Sequence, residues 1–97
     1  MFDKMKQLME MKKQADKMKK ELDRELIEVN EVRGIKIVIN GSQNFQSVEL
    51  DEEVLKNAVK FNFERDLLKS INAAIKKSQN VAAGKMKTMM PNGFPGM

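Results

Sequence analysis

Gly34-Ile35-Lys36-Ile37-Val38-Ile39-Asn40-Gly41 is the one stretch of this 97-residue sequence where β-branched residues are concentrated, with a turn residue at each end. Ile35, Ile37 and Ile39 recur at every second position and so project from one face of a strand, while Lys36, Val38 and Asn40 take the other. The spacing predicts a central strand with one dry face and one partly wetted face. Asn40-Gly41 is a hairpin signal because both residues tolerate positive φ, and it leads over a short polar connection to a further strand, Phe45 to Leu50. Upstream, the alternation from Ile27 to Val32 ends at Arg33-Gly34 and predicts a preceding strand. Together these make a three-stranded antiparallel meander. A lone sheet of that size needs helices, or a second copy of itself, to cover it.

The flanks supply the helices. From residue 3 to about residue 25, Leu8, Met11, Ala15, Met18, Leu22 and Leu26 recur at spacings of 3 and 4 and form one apolar stripe. Lys6, Lys13, Lys17, Lys20 and Arg24 fall within roughly 60° of one another on the opposite face. Such a line is equally what a solvated helix surface looks like, laced by pairs such as Asp16 with Lys20. After the meander, Asp51 is an N-cap candidate for a short helix containing Val54, Leu55, Ala58 and Val59, with Glu52 and Glu53 against the positive end of its dipole. A break near Lys60 to Asn62 precedes a second long stripe, Phe63, Leu67, Ile71, Ala74, Ile75, Ser78 and Ala82. That helix is expected to end near Gly84, and its opposite face carries Arg65, Lys69, Lys76 and, with an extension, Lys87. Residues 85–97 mix Met, Lys, Pro and Gly without period and read as a flexible tail, where Met89, Met90, Phe94 and Met97 are either interaction groups or disordered.

Composition narrows the chemistry. Cysteine and histidine are absent, which removes disulfides, thiolate nucleophiles, most zinc sites and the usual neutral-pH proton shuttle. Asp51, Glu52 and Glu53 lack a nearby nucleophile, metal partner or apolar pocket, so they read as a helix cap rather than a catalytic carboxylate set. Neither Gly-rich phosphate loops nor a nucleophile elbow occur, and no cofactor is expected. The start has no secretory pattern, and no apolar run is long enough to span a bilayer. The expectation is a soluble, cytoplasmic, non-enzymatic protein.

Charge is segregated. Residues 1–24 hold eight Lys/Arg against five Asp/Glu, residues 25–59 three against seven, and residues 60–97 seven against two. Basic ends around an acidic middle point to an anionic partner met by the two helices rather than by the sheet. Trp and Tyr are absent and Phe is scarce, which disfavours stacking platforms for single strands. Lysine-dominated faces suit phosphates more than base edges, so the expected ligand is double-stranded DNA bound with low sequence specificity. Membrane binding is a weaker use of the same helices, because their stripes are needed by the sheet and their polar faces carry acids. The other alternative is a dimeric protein-binding adaptor or chaperone gripping other chains through the Met-rich stripes.

The order of these elements resembles the YbaB/EbfC family of nucleoid-associated proteins. The stretches that carry the likeness are Gln7-Leu8-Met9, Gln14-Ala15 and Met18, then Ile35 to Gly41, Ser47-Val48-Glu49-Leu50-Asp51, Ile71-Asn72-Ala73-Ala74, and Pro91-Asn92-Gly93-Phe94. The resemblance implies a bacterial homodimer joined through the sheet region, with helices projecting as paired arms that bind and can bridge DNA on the nucleoid. Two places depart from the family pattern. The connection between the first two strands shortens to Glu31-Val32-Arg33-Gly34, and the last helix reads Glu64-Arg65-Asp66 and Asn72-Ala73-Ala74, with fewer acids and one more cation. The family brings no catalytic or base-reading residue, so the expected DNA-binding residues stay those of the charge lines: Lys6, Lys13, Lys17, Lys20, Arg24, Arg65, Lys69, Lys76 and Lys87. The expected organisation is one α+β domain over residues 1–84 with a tail over 85–97.

Overall fold

The alternation of the central stretch holds from Ile35 to Ile39 and ends at Asn40, which is buried rather than partly wetted. Ile35, Ile37 and Ile39 are buried, while Lys36 and Val38 between them are half-buried. In the computed structural model, which describes residues 2–89, the chain runs α1 (Phe2–Arg24), β1 (Leu26–Val32), β2 (Ile35–Asn40), β3 (Phe45–Leu50), α2 (Glu52–Lys56) and α3 (Lys60–Met89). The strands form one antiparallel sheet in the order β1-β2-β3. Ile27 lies opposite Ile39, and Val29 opposite Ile37, so the dry face of β2 continues onto β1. Ala74 of α3 closes this core, with Leu67, Ile71, Ala73 and Val81 half-buried around it. Small residues let the helix approach closely, since Ser70, Ala74 and Ser78 on its inner face have at most 1% of their surface exposed. Ser70 Oγ donates to Asp66 O (2.9 Å), and Ser78 Oγ to Asn40 O (2.7 Å), so neither buried hydroxyl is left unpaired.

The opposite face of the sheet is polar and held by charge. Lys36 Nζ lies 2.8 Å from Glu28 Oε1 and 3.9 Å from Glu49 Oε2, spanning all three strands. Its hydrogen bond and charge hold the Glu28 carboxyl below the usual carboxylate range, and Glu28 in turn raises the Lys36 ammonium. The Lys36 and Glu28 side chains keep 40% and 55% of their surface in water, so the ladder orders the face more than it stabilises it.

Two hairpin expectations change. Gly41 does not supply a left-handed turn; Gln43 does, at φ 64°. The close approach of α1 is what demands a glycine at 41, since an added Cβ there lies 2.9 Å from Leu22 Cδ2 and 3.0 Å from Leu22 O. Gly34 has φ 89°, and its missing side chain leaves room for Val54. The shortened first connection therefore closes as a tight turn at Arg33-Gly34, with a β-bulge between Val29 and Val32 taking up the register.

Helix limits also shift. Asp51 stands at the N-cap of α2 in an extended conformation, but its side chain makes no capping hydrogen bond; its carbonyl instead accepts from Val54 N–H (3.1 Å) and Leu55 N–H (3.3 Å). The break falls at residues 57–59, earlier than expected, leaving Ala58 and Val59 outside α2. At the other end α3 passes through Gly84 and reaches Met89, held there by an ion pair between Lys85 and Glu25 (3.3 Å) and by half-buried Met86. Residues 85–89 of the expected tail are therefore helical, while Met90, Phe94 and Met97 lie outside the described residues.

The largest correction concerns the first apolar stripe. Its spacing predicts a helix laid over the sheet, yet only Leu22 is buried and Met18 half-buried, while Leu8, Met11 and Ala15 are exposed. α3 takes the core side over β1 and β2, where the dry face lies. α1 instead touches the body at its C-terminal end and projects away from it, giving a molecule 66 × 23 × 18 Å.

Candidate nucleic-acid interface

The projection of α1 follows from its sequence and its root. Residues 2–24 contain no Gly, Pro or β-branched residue and are dominated by Lys, Met, Leu, Glu and Gln, all good helix formers. The last carbonyls of a helix lack intrahelical donors, and here the β2–β3 connection supplies them. Gly41 N–H donates to Leu22 O (2.9 Å) and Glu25 O (3.1 Å), and Asn40 Nδ2–H donates to Asp23 O (3.3 Å). Asn40 Oδ1 accepts from the backbone N–H groups of Ser42 (3.0 Å) and Asn44 (2.9 Å), and Ser42 Oγ donates to Asp23. Asn40, buried to 4% exposure, is thus the joint on which the helix is mounted.

On this mount Lys6, Lys13, Lys17 and Lys20 are all exposed along the free part of α1, with exposed Arg24 at the root. From Lys6 to Arg24 the line is about 27 Å long at 1.5 Å per residue. No ion pair between Asp16 and Lys20 forms among the described residues, nor does any cation of this line pair with a carboxylate there. On α3, Arg65, Lys69, Lys76 and Lys87 are exposed as well. Arg65 Nε lies 3.8 Å from Asp66 Oδ1, and Lys76 stands on the rim of a shallow groove between β1 and α3 with Asn30, Glu31 and Asn80.

The nine cations do not form one cluster. Lys87 lies two residues beyond the Lys85–Glu25 contact, and Arg24 one residue before it, so these two flank the α1–α3 junction. Arg65 and Lys69 sit toward the other end of α3, with Arg65 about 30 Å along the helix from Lys85. Outside the expected set, Lys60 pairs within α3 with Glu64 (4.0 Å), and three further lysines are engaged by other elements: Lys36 by Glu28 and Glu49, Lys85 by Glu25, and Lys77, whose Nζ donates to Glu28 O (3.2 Å). Helical phase separates them from the free lines only in part, because their partners lie in other elements. Lys4, in line with the apolar stripe of α1, and Lys12 and Lys19, beside it, are exposed and belong to neither line.

The arrangement is one of charge presentation. Among the described residues no group of three His, Cys, Asp or Glu side chains is placed to hold a metal ion, and no helix is long and apolar enough to cross a membrane. Asp51 and Glu53 share a shallow hollow with Arg33, Asn57 and Asp66 that holds no Ser, Thr, Lys or Cys nucleophile.

The profile of the YbaB/EbfC DNA-binding family matches residues 1–94. Among solved structures, the fold is similar to that of an uncharacterized protein, HP0035, from Helicobacter pylori. The TM-score is 0.76 at 15% identity, over 93% of this chain and 97% of that one. At that identity the likeness is one of fold. No curated protein matches the sequence.

Proposed function

Since the chain belongs to the YbaB/EbfC DNA-binding family, we propose that it binds duplex DNA with low sequence specificity, chiefly through phosphate contacts from α1. The observation that carries this reading is the unpaired, exposed line Lys6, Lys13, Lys17, Lys20 and Arg24 on a helix that stands clear of the body. Lysine is a compact point charge with no fork to read a base edge, so such a line attracts phosphates without selecting sequence. Arg65, Lys69, Lys76 and Lys87 supply secondary contacts along α3. The place of action is the nucleoid in the cytoplasm, and the protein works as a non-enzymatic homodimer.

The dimer forms through the sheet. α3 leaves β3 uncovered, so Phe45 (44% exposed) and Val48 (51%) remain open on an edge strand with unpaired backbone groups. Val48 lies opposite Ile37 and extends the dry face outward, which suits a second copy better than water. The adaptor reading keeps one specific support, the exposed Met5, Leu8, Met9 and Met11 of α1. Its signature is binding that survives high salt and depends on these residues rather than on lysine.

The test is a gel-shift titration against random duplex DNA at several salt concentrations, with an unrelated competitor. Replacing Lys13, Lys17 and Lys20 together with Glu is expected to abolish the shift while leaving the oligomeric state unchanged. Unaltered affinity in that triple variant sinks the α1 assignment. A wild-type protein that fails to bind at low salt transfers the reading to the adaptor.

A further inference from the structure

Leu8, Met11, Ala15, Met18 and Leu22 follow a 3-4-3-4 spacing, which is the a and d pattern of a heptad seam. The fold uses only the lower half of it. Leu22 and Met18 pack against the body, while Leu8 (66% exposed), Met11 (46%) and Ala15 remain open on the arm. Resting on the reading of α1 as a DNA-binding arm, we propose that the free half of this seam pairs in parallel with α1 of a second copy.

Charge sets the orientation of such a pair. Beside the seam, Gln7 and Gln14 occupy the g positions and Lys12 and Lys19 the e positions. A parallel pair sets each Gln opposite a Lys of the second copy, whereas an antiparallel pair sets e against e and so Lys against Lys. Lys6, Lys13 and Lys20 all fall at f, farthest from the seam. In a parallel pair their two lines therefore point in opposite directions, and the paired arms hold two duplexes on opposite sides. Three open side chains per arm fall far short of the roughly 800 Å² per partner of a stable interface. Pairing consequently requires arms already held close together, as where the protein coats two neighbouring duplexes and effective concentration replaces affinity.

The chain has no cysteine, so single substitutions report cleanly. Full-length Leu8→Cys, Met11→Cys and, as an outward-facing control, Glu10→Cys are oxidised with and without random duplex DNA and the disulfide-linked product followed in time. In-register parallel pairing brings both seam positions within disulfide reach. Both are expected to link on DNA roughly tenfold or more faster than Glu10→Cys, with little product without DNA. Leu8→Gln is expected to keep its affinity for one duplex but lose capture of a labelled second duplex by a bead-bound first. Equal rates at the seam and control positions overturn the proposal, as does linkage at only one seam position, which marks an antiparallel pair. Wild-type protein that gives no gel shift overturns the DNA reading itself, a result separate from the cross-linking rates.

Discussion

Gly41 and Asn40 form an Asn-Gly pair whose task differs from the one such pairs usually perform. In a two-residue hairpin of type I′, the usual Asn-Gly turn, both residues adopt positive φ, whereas here the left-handed residue is Gln43 and the connection is longer. Gly41 is fixed by contact instead, because its N–H donates to Leu22 O while its Cα faces the Leu22 backbone, with Leu22 Cα 3.2 Å from where a Cβ would stand. Gly41→Ala is expected to lower unfolding free energy by about 1–3 kcal/mol, since the atoms it meets include backbone that the joint holds in place. Urea denaturation followed by far-UV circular dichroism reads this directly. A variant as stable as the parent means that the α1 root moves away without cost and that the joint is soft.

At the scale of elements, β1, β2 and α3 were legible because each buries a periodic face against another element, whereas β3, exposed except at half-buried Leu50, was legible from its place after the turn. Ile35, Ile37 and Ile39 could satisfy only a strand, and β3 falls on the expected residues Phe45 to Leu50. α1 was legible as a helix but not as an arm. A heptad stripe has the same spacing whether its partner is the chain's own sheet or something else, and what decides between them is that α3 already covers the dry face of β1 and β2. The basic lines were legible as faces, but the engagement of Lys36, Lys77 and Lys85 by Glu28 and Glu25 was not, because those contacts join distant parts of the chain. The α1 stripe therefore contains two leucines in opposite circumstances. Leu22→Ala is expected to cost about 2–4 kcal/mol, as a buried large-to-small change, and Leu8→Ala to stay within about 0.5 kcal/mol. Paired denaturation curves check the contrast, and comparable costs at both positions require Leu8 to be covered in the free protein.

The whole molecule has a radius of gyration of 18.6 Å, against about 13 Å for a compact domain near this size, and the projecting arm and the 30-residue α3 both lengthen it. An extended shape with its cations along the arm binds differently from a globule of net charge +4. If net charge alone governed binding, every lysine would count equally in the salt dependence. If the α1 face governs it, a lysine counts only where it reaches a phosphate. Each neutralised phosphate adds about 0.9 to the slope of log K against log salt. Lys13→Gln, Lys17→Gln and Lys20→Gln are thus each expected to reduce the slope by about 0.9 for every phosphate left without its lysine, with no change in sequence preference. Lys36→Gln, which removes the same unit of charge from a side chain already held by Glu28 and Glu49, is expected to leave the slope unchanged. The size of the reduction also reports geometry. A value near 0.9 means that one arm engages each duplex, as paired arms with opposed lysine lines require, while a value near 1.8 places both arms of a dimer on the same duplex. Equal effects from Lys36→Gln and Lys13→Gln reduce the interface to net charge and remove the special role assigned to α1.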